Sequence, residues 1–129
     1  MKYVDVNVFV YWLSDHPLFG ERATNIIERI EKGERSTTSA LTIWLLHVIL
    51  EEEAEDYSLG KLLQRIGDLK YLRVEPLTSE DFVIASKNED NYSMDLEDAL
   101  HFSVCERLGI REIYSNDDDF DRTPLKRTF

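Results

Sequence analysis

The sequence holds a single cysteine, Cys105, so the chain can form no internal disulfide and assemble no cysteine-rich zinc set. Basic residues are also scarce: 15 lysines and arginines stand against 26 aspartates and glutamates, for a formal net charge of −11. That balance argues against passive, charge-driven binding to nucleic acid, which favours a basic face. It suits high solubility, a carboxylate site that recruits cations, or a basic protein partner. Long apolar runs are missing too. The longest, Leu41–Leu50, includes Thr42 and His47, and it falls far short of the ~20 residues of a membrane span. No secretory leader is expected, because Met1-Lys2-Tyr3-Val4 meets Asp5 at once. The five glycines make no phosphate-binding loop, and no Ser/His/Asp or Cys/His set is visible. A reducing cytoplasm is the simplest expected home.

What is present is a foldable core. Hydrophobic residues make up 43% of 129 positions, enough for one domain over residues 1–129 with two or three layers. Internal repeats and low-complexity linkers are absent. Within the β-branched run Lys2–Val10, residues 2–5 read as a strand that ends on Asp5. Pro17 can start a helix, and Ala23, Ile26, Ile27 and Ile30 carry a helical period to about Lys32, stopped by Gly33. Arg35–Thr38 fits a short strand. Ser39 then caps an apolar helix that runs into Glu51-Glu52-Glu53; a helix apolar on nearly all sides belongs in a domain centre or a dimer contact. Ser58 caps a helix to about Leu69, with Leu59, Leu62, Leu63 and Ile66 on its buried side. Tyr71–Glu75 is a strand closed by Pro76, and Thr78 with Asp81 resembles a capping box for a helix to about Asn88. Glu89–Ser93 reads as a loop. Asp95 caps a last helix that Gly109 ends, and Ile110, Ile113 and Tyr114 make a strand leading into Ser115-Asn116-Asp117-Asp118-Asp119-Phe120. A turn at Asp121–Pro124 and a short strand at Leu125–Phe129 close the chain. Alternating strands and helices imply an α/β fold with a mainly parallel sheet.

In such a sheet, ligands gather beyond the carboxyl ends of the strands, where strand order reverses. Asp5 lies at the end of the first strand and Asp117 just past the strand after Gly109. If those strands are neighbours, the two acids converge, with Asp98 at the start of the intervening helix. An aspartate in an otherwise apolar strand is costly to bury unless it is paired or binds a cation. Asp98 alone is also explained by the helix dipole, Asp95 is better explained as an N-cap, and Asp117–Asp119 alone as a solvated loop. Adjacent acids repel, however, and Mg²⁺ or Mn²⁺ relieves that cost. His101, one turn past Asp98, reads as a support of the site, whereas His47 and His16 receive no role. Lys61, Arg65, Arg107 and Arg111 are candidate RNA contacts that read more simply as solvated charges.

Val4-Asp5-Val6-Asn7-Val8-Phe9-Val10 resembles the opening motif of PIN domains. Asp98-Ala99-Leu100-His101, then Gly109-Ile110 and Ile113-Tyr114-Ser115-Asn116-Asp117 with Phe120, resembles their C-terminal motif pair. Order and spacing fit over essentially the whole chain, and the group most similar in appearance is the VapC-type toxins. The resemblance implies a three-layer α/β/α fold with four to five strands in the order 3-2-1-4-5. It implies an endoribonuclease dependent on Mg²⁺ or Mn²⁺, a homodimer and a basic antitoxin partner. By position, Asp5, Asp98 and Asp117 match three metal-binding acids, and Asp119 matches a less constant fourth. Asn7, Ser115 and Asn116 are then placed to hydrogen-bond phosphate or water.

One position departs from the pattern. The family usually carries a Glu early in the helix after the second strand, and here Leu45 stands there. The leading expectation is an RNA-cleaving toxin, and the alternative is a PIN-like binding protein that has lost catalysis. A third reading, a phosphotransfer or phosphatase domain, is weakened by Asn7 in place of a second Asp and by the lack of an obvious catalytic Lys.

Overall fold

A computed structural model describes residues 1–129. Five parallel strands form one sheet in the order β3-β2-β1-β4-β5. They are β1 (Lys2–Val4), β2 (Ser36–Ser39), β3 (Leu72–Glu75), β4 (Glu112–Tyr114) and β5 (Lys126–Thr128). Six helices connect them: α1 (Val6–Leu13), α2 (Gly20–Glu31), α3 (Ala40–Glu53), α4 (Leu59–Gly67), α5 (Ser79–Tyr92) and α6 (Leu96–Leu108). A 3-10 turn, Asp118–Arg122, stands between β4 and β5.

Side chains of a strand alternate between faces, and the central strands use this to build two cores. Val4 and Tyr114 point to one face, where Phe9 of α1, Ile27 and Ile30 of α2, and Leu46 of α3 are buried. Tyr3 and Ile113 point to the other, with Ala85 of α5 and Ala99, Val104 and Cys105 of α6. The result is the α/β/α sandwich and the 3-2-1-4-5 order that the resemblance implied.

Four local expectations change. β1 ends at Val4, one residue early, and the following valines coil into α1. Asp5 causes the turn: its Oδ1 accepts the Val6 N–H at 2.8 Å as an N-cap. Burial of Val6, Val8 and Phe9 on one helical face outweighs the extended preference of β-branched residues. Glu89–Tyr92, expected as a loop, continues α5, which stops at Ser93 in the left-handed conformation (φ 52°). In α4 only Leu62 and Ile66 are buried, whereas Leu59 and Leu63 face solvent. In α3 only Thr42 and Leu46 are fully buried, and Trp44 is 61% exposed, so this apolar helix is no domain centre.

Candidate active site

The register of the sheet places the first candidate. Val4 pairs with Tyr114, so Asp5 and Ser115 leave the sheet side by side at its carboxyl edge. The Asp5 N–H donates to the Tyr114 carbonyl at 3.0 Å. Beyond that point the side chains interlock. Ser115 Oγ donates to Asp5 Oδ2 at 2.7 Å, and Asn7 Nδ2 donates to the same oxygen at 3.1 Å. The Asn116 N–H reaches Asn7 Oδ1 at 3.3 Å, and the Asp117 N–H reaches Ser115 Oγ at 3.0 Å. Asn7 and Ser115 thus tie the start of α1 to the loop that carries the late acids.

That loop has its own cap. Asp117 Oδ1 accepts the Asp119 N–H at 2.9 Å, which starts the 3-10 turn and brings Asp119 back beside Asp117. Asp98 arrives from α6, where its N–H donates to Asp95 Oδ1 at 2.9 Å. Carboxylate oxygens of Asp98, Asp117 and Asp119 all lie within 4.8 Å of one another. Asp5 stands beside this trio rather than within it; its oxygens are engaged by Val6, Ser115 and Asn7.

Asp98 bears the cost of the arrangement. Burial raises its carboxyl from an ordinary 3.8 to about 8, with the charges of Asp117, Asp95 and Asp5 acting in the same direction and a hydrogen bond to Asp117 favouring the protonated form. Glu97, on the exposed rim, is raised by partial desolvation and then by Asp5, Asp95 and Asp117. The cations nearby are occupied at the edge: Arg122 meets Asp119 at 3.1 Å and Arg127 meets Asp121 at 2.9 Å.

The candidate RNA contacts fare differently. Arg107 is committed to Asp81 at 2.8 Å and to the Pro76 carbonyl at 2.9 Å. Arg65 stacks on Trp12 at 4.6 Å, and Lys61 and Arg111 are exposed. Leu45 lies in an apolar groove in which Leu41 and Trp44 of α3 face Leu96, Glu97 and Leu100 of α6. Glu97 carries no sequence signal beyond its place beside Asp98 in the first turn of α6. Asp119 has a fuller place in the cluster than a less constant fourth position implies.

A family model described as PIN domain matches residues 2–126. No curated protein matches the sequence significantly. Among solved structures, the chain is similar to VapC20 of Mycobacterium tuberculosis, described as a Sarcin-Ricin loop cleaving toxin, at 19% identity and TM-score 0.76, covering 94% of this chain and 93% of that one. It is also similar to FitAcB of Neisseria gonorrhoeae at 16% identity and TM-score 0.74, covering 100% and 97%. A toxin-antitoxin complex from Klebsiella pneumoniae matches at 14% identity and TM-score 0.71, covering 98% and 99%. At these identities the likeness is one of fold. No helix is long and apolar enough to cross a membrane.

Proposed function

The chain belongs to the PIN domain family, and from that premise we propose that it is an endoribonuclease dependent on Mg²⁺ or Mn²⁺, acting as the toxin of a toxin-antitoxin pair. The observation that carries the reading is the trio Asp98, Asp117 and Asp119, drawn from two separate segments to within 4.8 Å. Folding brings like charges together there and holds one carboxyl up at about 8. Such a cost is relieved by a cation, and an all-oxygen donor set without Cys or His suits a hard ion such as Mg²⁺ or Mn²⁺. PIN nucleases use divalent metals, and the residues present fit that requirement.

Asp98, Asp117 and Asp119 would hold the cation, with Asp5 adding a carboxylate from the sheet side. A bound divalent ion supplies Lewis acidity, acidifying water and offsetting charge at the scissile phosphate. Asn7 and Ser115 keep Asp5 and Asp117 in register, and Asn116, held by Tyr11 at 3.3 Å, presents a polar edge toward a phosphate. A basic antitoxin would suit a chain of net charge −11. The apolar groove that exposes Trp44, Phe82 and Leu96 between α3, α5 and α6 supports a homodimer.

Leu45 favours a second reading, a PIN-like binding protein without catalysis. Against it stands Glu97, which borders the same groove as Leu45 and adds its charge to the cluster. Cleavage of single-stranded RNA with Mn²⁺, by wild type and by Asp98→Asn, separates the two. Wild type is expected to cut and the variant to be silent. Equal cleavage by both would remove the assignment, and Mn²⁺ binding without cleavage by wild type would favour the second reading.

A further inference from the structure

We propose that His101, backed by Tyr3 and Ser39, is a positioning residue that fixes the Asp5 carboxylate for cation binding. The inference rests on the functional reading above.

His101 sits on α6 one turn after Asp98, and its side chain is fully buried. Its Nδ1 is 2.7 Å from the Tyr3 hydroxyl, which is 2.9 Å from Ser39 Oγ. Its Nε2 has no hydrogen-bond partner and lies 3.5 Å from Asp5 Oδ1. A buried ring nitrogen without a partner is costly, and it directs attention to the atom it faces.

The two hydroxyls can orient either way, so the carboxylate decides the tautomer. A lone pair on Nε2 would face the negative Asp5 oxygen and be repelled. A proton on Nε2 is attracted to it. Nδ1 is then the acceptor, Tyr3 donates to it, and Ser39 donates to Tyr3. Burial holds the Tyr3 phenol well above its ordinary range, so it stays a donor. The relay draws one group from β2, one from β1 and one from α6, and it points at Asp5.

The effect is on orientation. Asp5 Oδ2 is held by Ser115 and Asn7, and Oδ1 by the Val6 N–H. Those donors come from the α1 and β4 side, and His101 is the donor from the α6 side. A shift of Oδ1 by about half an ångström completes the His101 bond. Asp5 would then be restrained from both sides, with its remaining lone pairs free for a cation. Outer donors of this kind are worth roughly 10–100-fold in metal affinity.

The test is Mn²⁺ titration calorimetry on wild type, His101→Leu, His101→Gln and Tyr3→Phe, with thermal unfolding of each metal-free protein alongside. His101→Leu keeps the bulk and removes the donor; it is expected to bind Mn²⁺ at least about 10-fold more weakly. His101→Gln, which can place an amide N–H near the Nε2 position, is expected to stay within about threefold. Tyr3→Phe, which keeps the ring and removes the donor that anchors Nδ1, is expected to fall between them. Unchanged affinity in His101→Leu overturns the proposal, as does equal loss in the Leu and Gln variants, which would mean that only the shape of the ring counts. Should His101→Leu fail to fold, Tyr3→Phe decides alone: weakened binding supports the relay and full binding overturns it. Absence of Mn²⁺ binding by wild type overturns the functional reading, and this inference with it.

Discussion

Helices α5 and α6 start alike and end up with opposite electrostatics. One opens Thr78-Ser79-Glu80-Asp81, the other Asp95-Leu96-Glu97-Asp98. In both, the cap side chain accepts the N–H of the aspartate three residues on, at 3.2 Å in α5 and 2.9 Å in α6. Beyond that bond they part. Asp81 turns back to the Thr78 N–H at 2.8 Å and meets Arg107 at 2.8 Å, and these partners outweigh its burial and hold its carboxyl below the ordinary range. Asp98 meets Asp117 instead, and burial with neighbouring acids lifts it to about 8. The local pattern places an aspartate at the third helical position in each case. Whether it then stabilises the fold or awaits a ligand is decided by the side chain that the rest of the chain brings to it.

Exchanging the charge at each position is the sharpest way to break this contrast. Asp98→Asn is expected to lower RNA cleavage by at least about 100-fold, since Lewis-acid stabilisation is worth several kcal/mol. The metal-free variant should melt no lower than wild type at neutral pH, because an amide removes the cost of holding that buried carboxyl protonated. A marked fall in its melting temperature would mean that Asp98 stabilises the fold as Asp81 does.

pH separates the two aspartates next. The folded state retains the Asp98 proton that the unfolded chain has already released, so this group's contribution to metal-free stability declines as pH rises from about 4 toward about 8. Asp81 has the opposite sign: its contribution is present above about 4 and is lost as pH falls through its depressed folded value. Urea titrations across pH 3 to 9 should show the decline above about 4 in wild type and a flatter profile in Asp98→Asn. Mn²⁺ should oppose the decline by displacing the proton.

Asp81→Ala is expected to cost about 2 kcal/mol. Breaking a buried pair costs more, but Arg107 keeps some contact with water. Cleavage per folded molecule should be unchanged, as Asp81 does not touch the acid cluster. The smallest effects come from the caps. Thr78→Ala should cost about 1 kcal/mol, whereas Asp95→Ala should cost less, because the lost cap bond is offset by relief of its repulsion with Asp98. Equal losses for the two caps would show that the charge of Asp95 is not felt at Asp98.

The same contrast explains what could be read from the sequence. The capping pattern, the Gly109 stop and the acid loop were visible because each rests on neighbouring residues. The strand order was not a product of spacing; it came with the resemblance to PIN domains. α1 was missed because Val6, Val8 and Val10 favour extended backbone locally, and only packing against α2 and the sheet reverses that preference. The prominence of Asp119 was hidden because the 3-10 turn that folds it back on Asp117 depends on one side-chain bond. His101 could be named as a support, but the tyrosine behind it and the aspartate before it lie almost the whole chain away.

The position of β1 in the middle of the sheet also bears on how the protein is made. Its neighbour on one side, β2, follows within 40 residues, whereas its neighbour on the other, β4, begins at Glu112. As the chain leaves the ribosome, β1 to β3 with α1 to α4 can assemble most of one apolar face, which Tyr114 of β4 completes, while the far edge of β1 waits unpaired. Asp5 is synthesised well ahead of Asp98, Asp117 and Asp119, and it has none of them beside it until α6 and the loop after β4 have emerged. The acid cluster therefore forms after most of the first core, and a product truncated before α6 carries no assembled site.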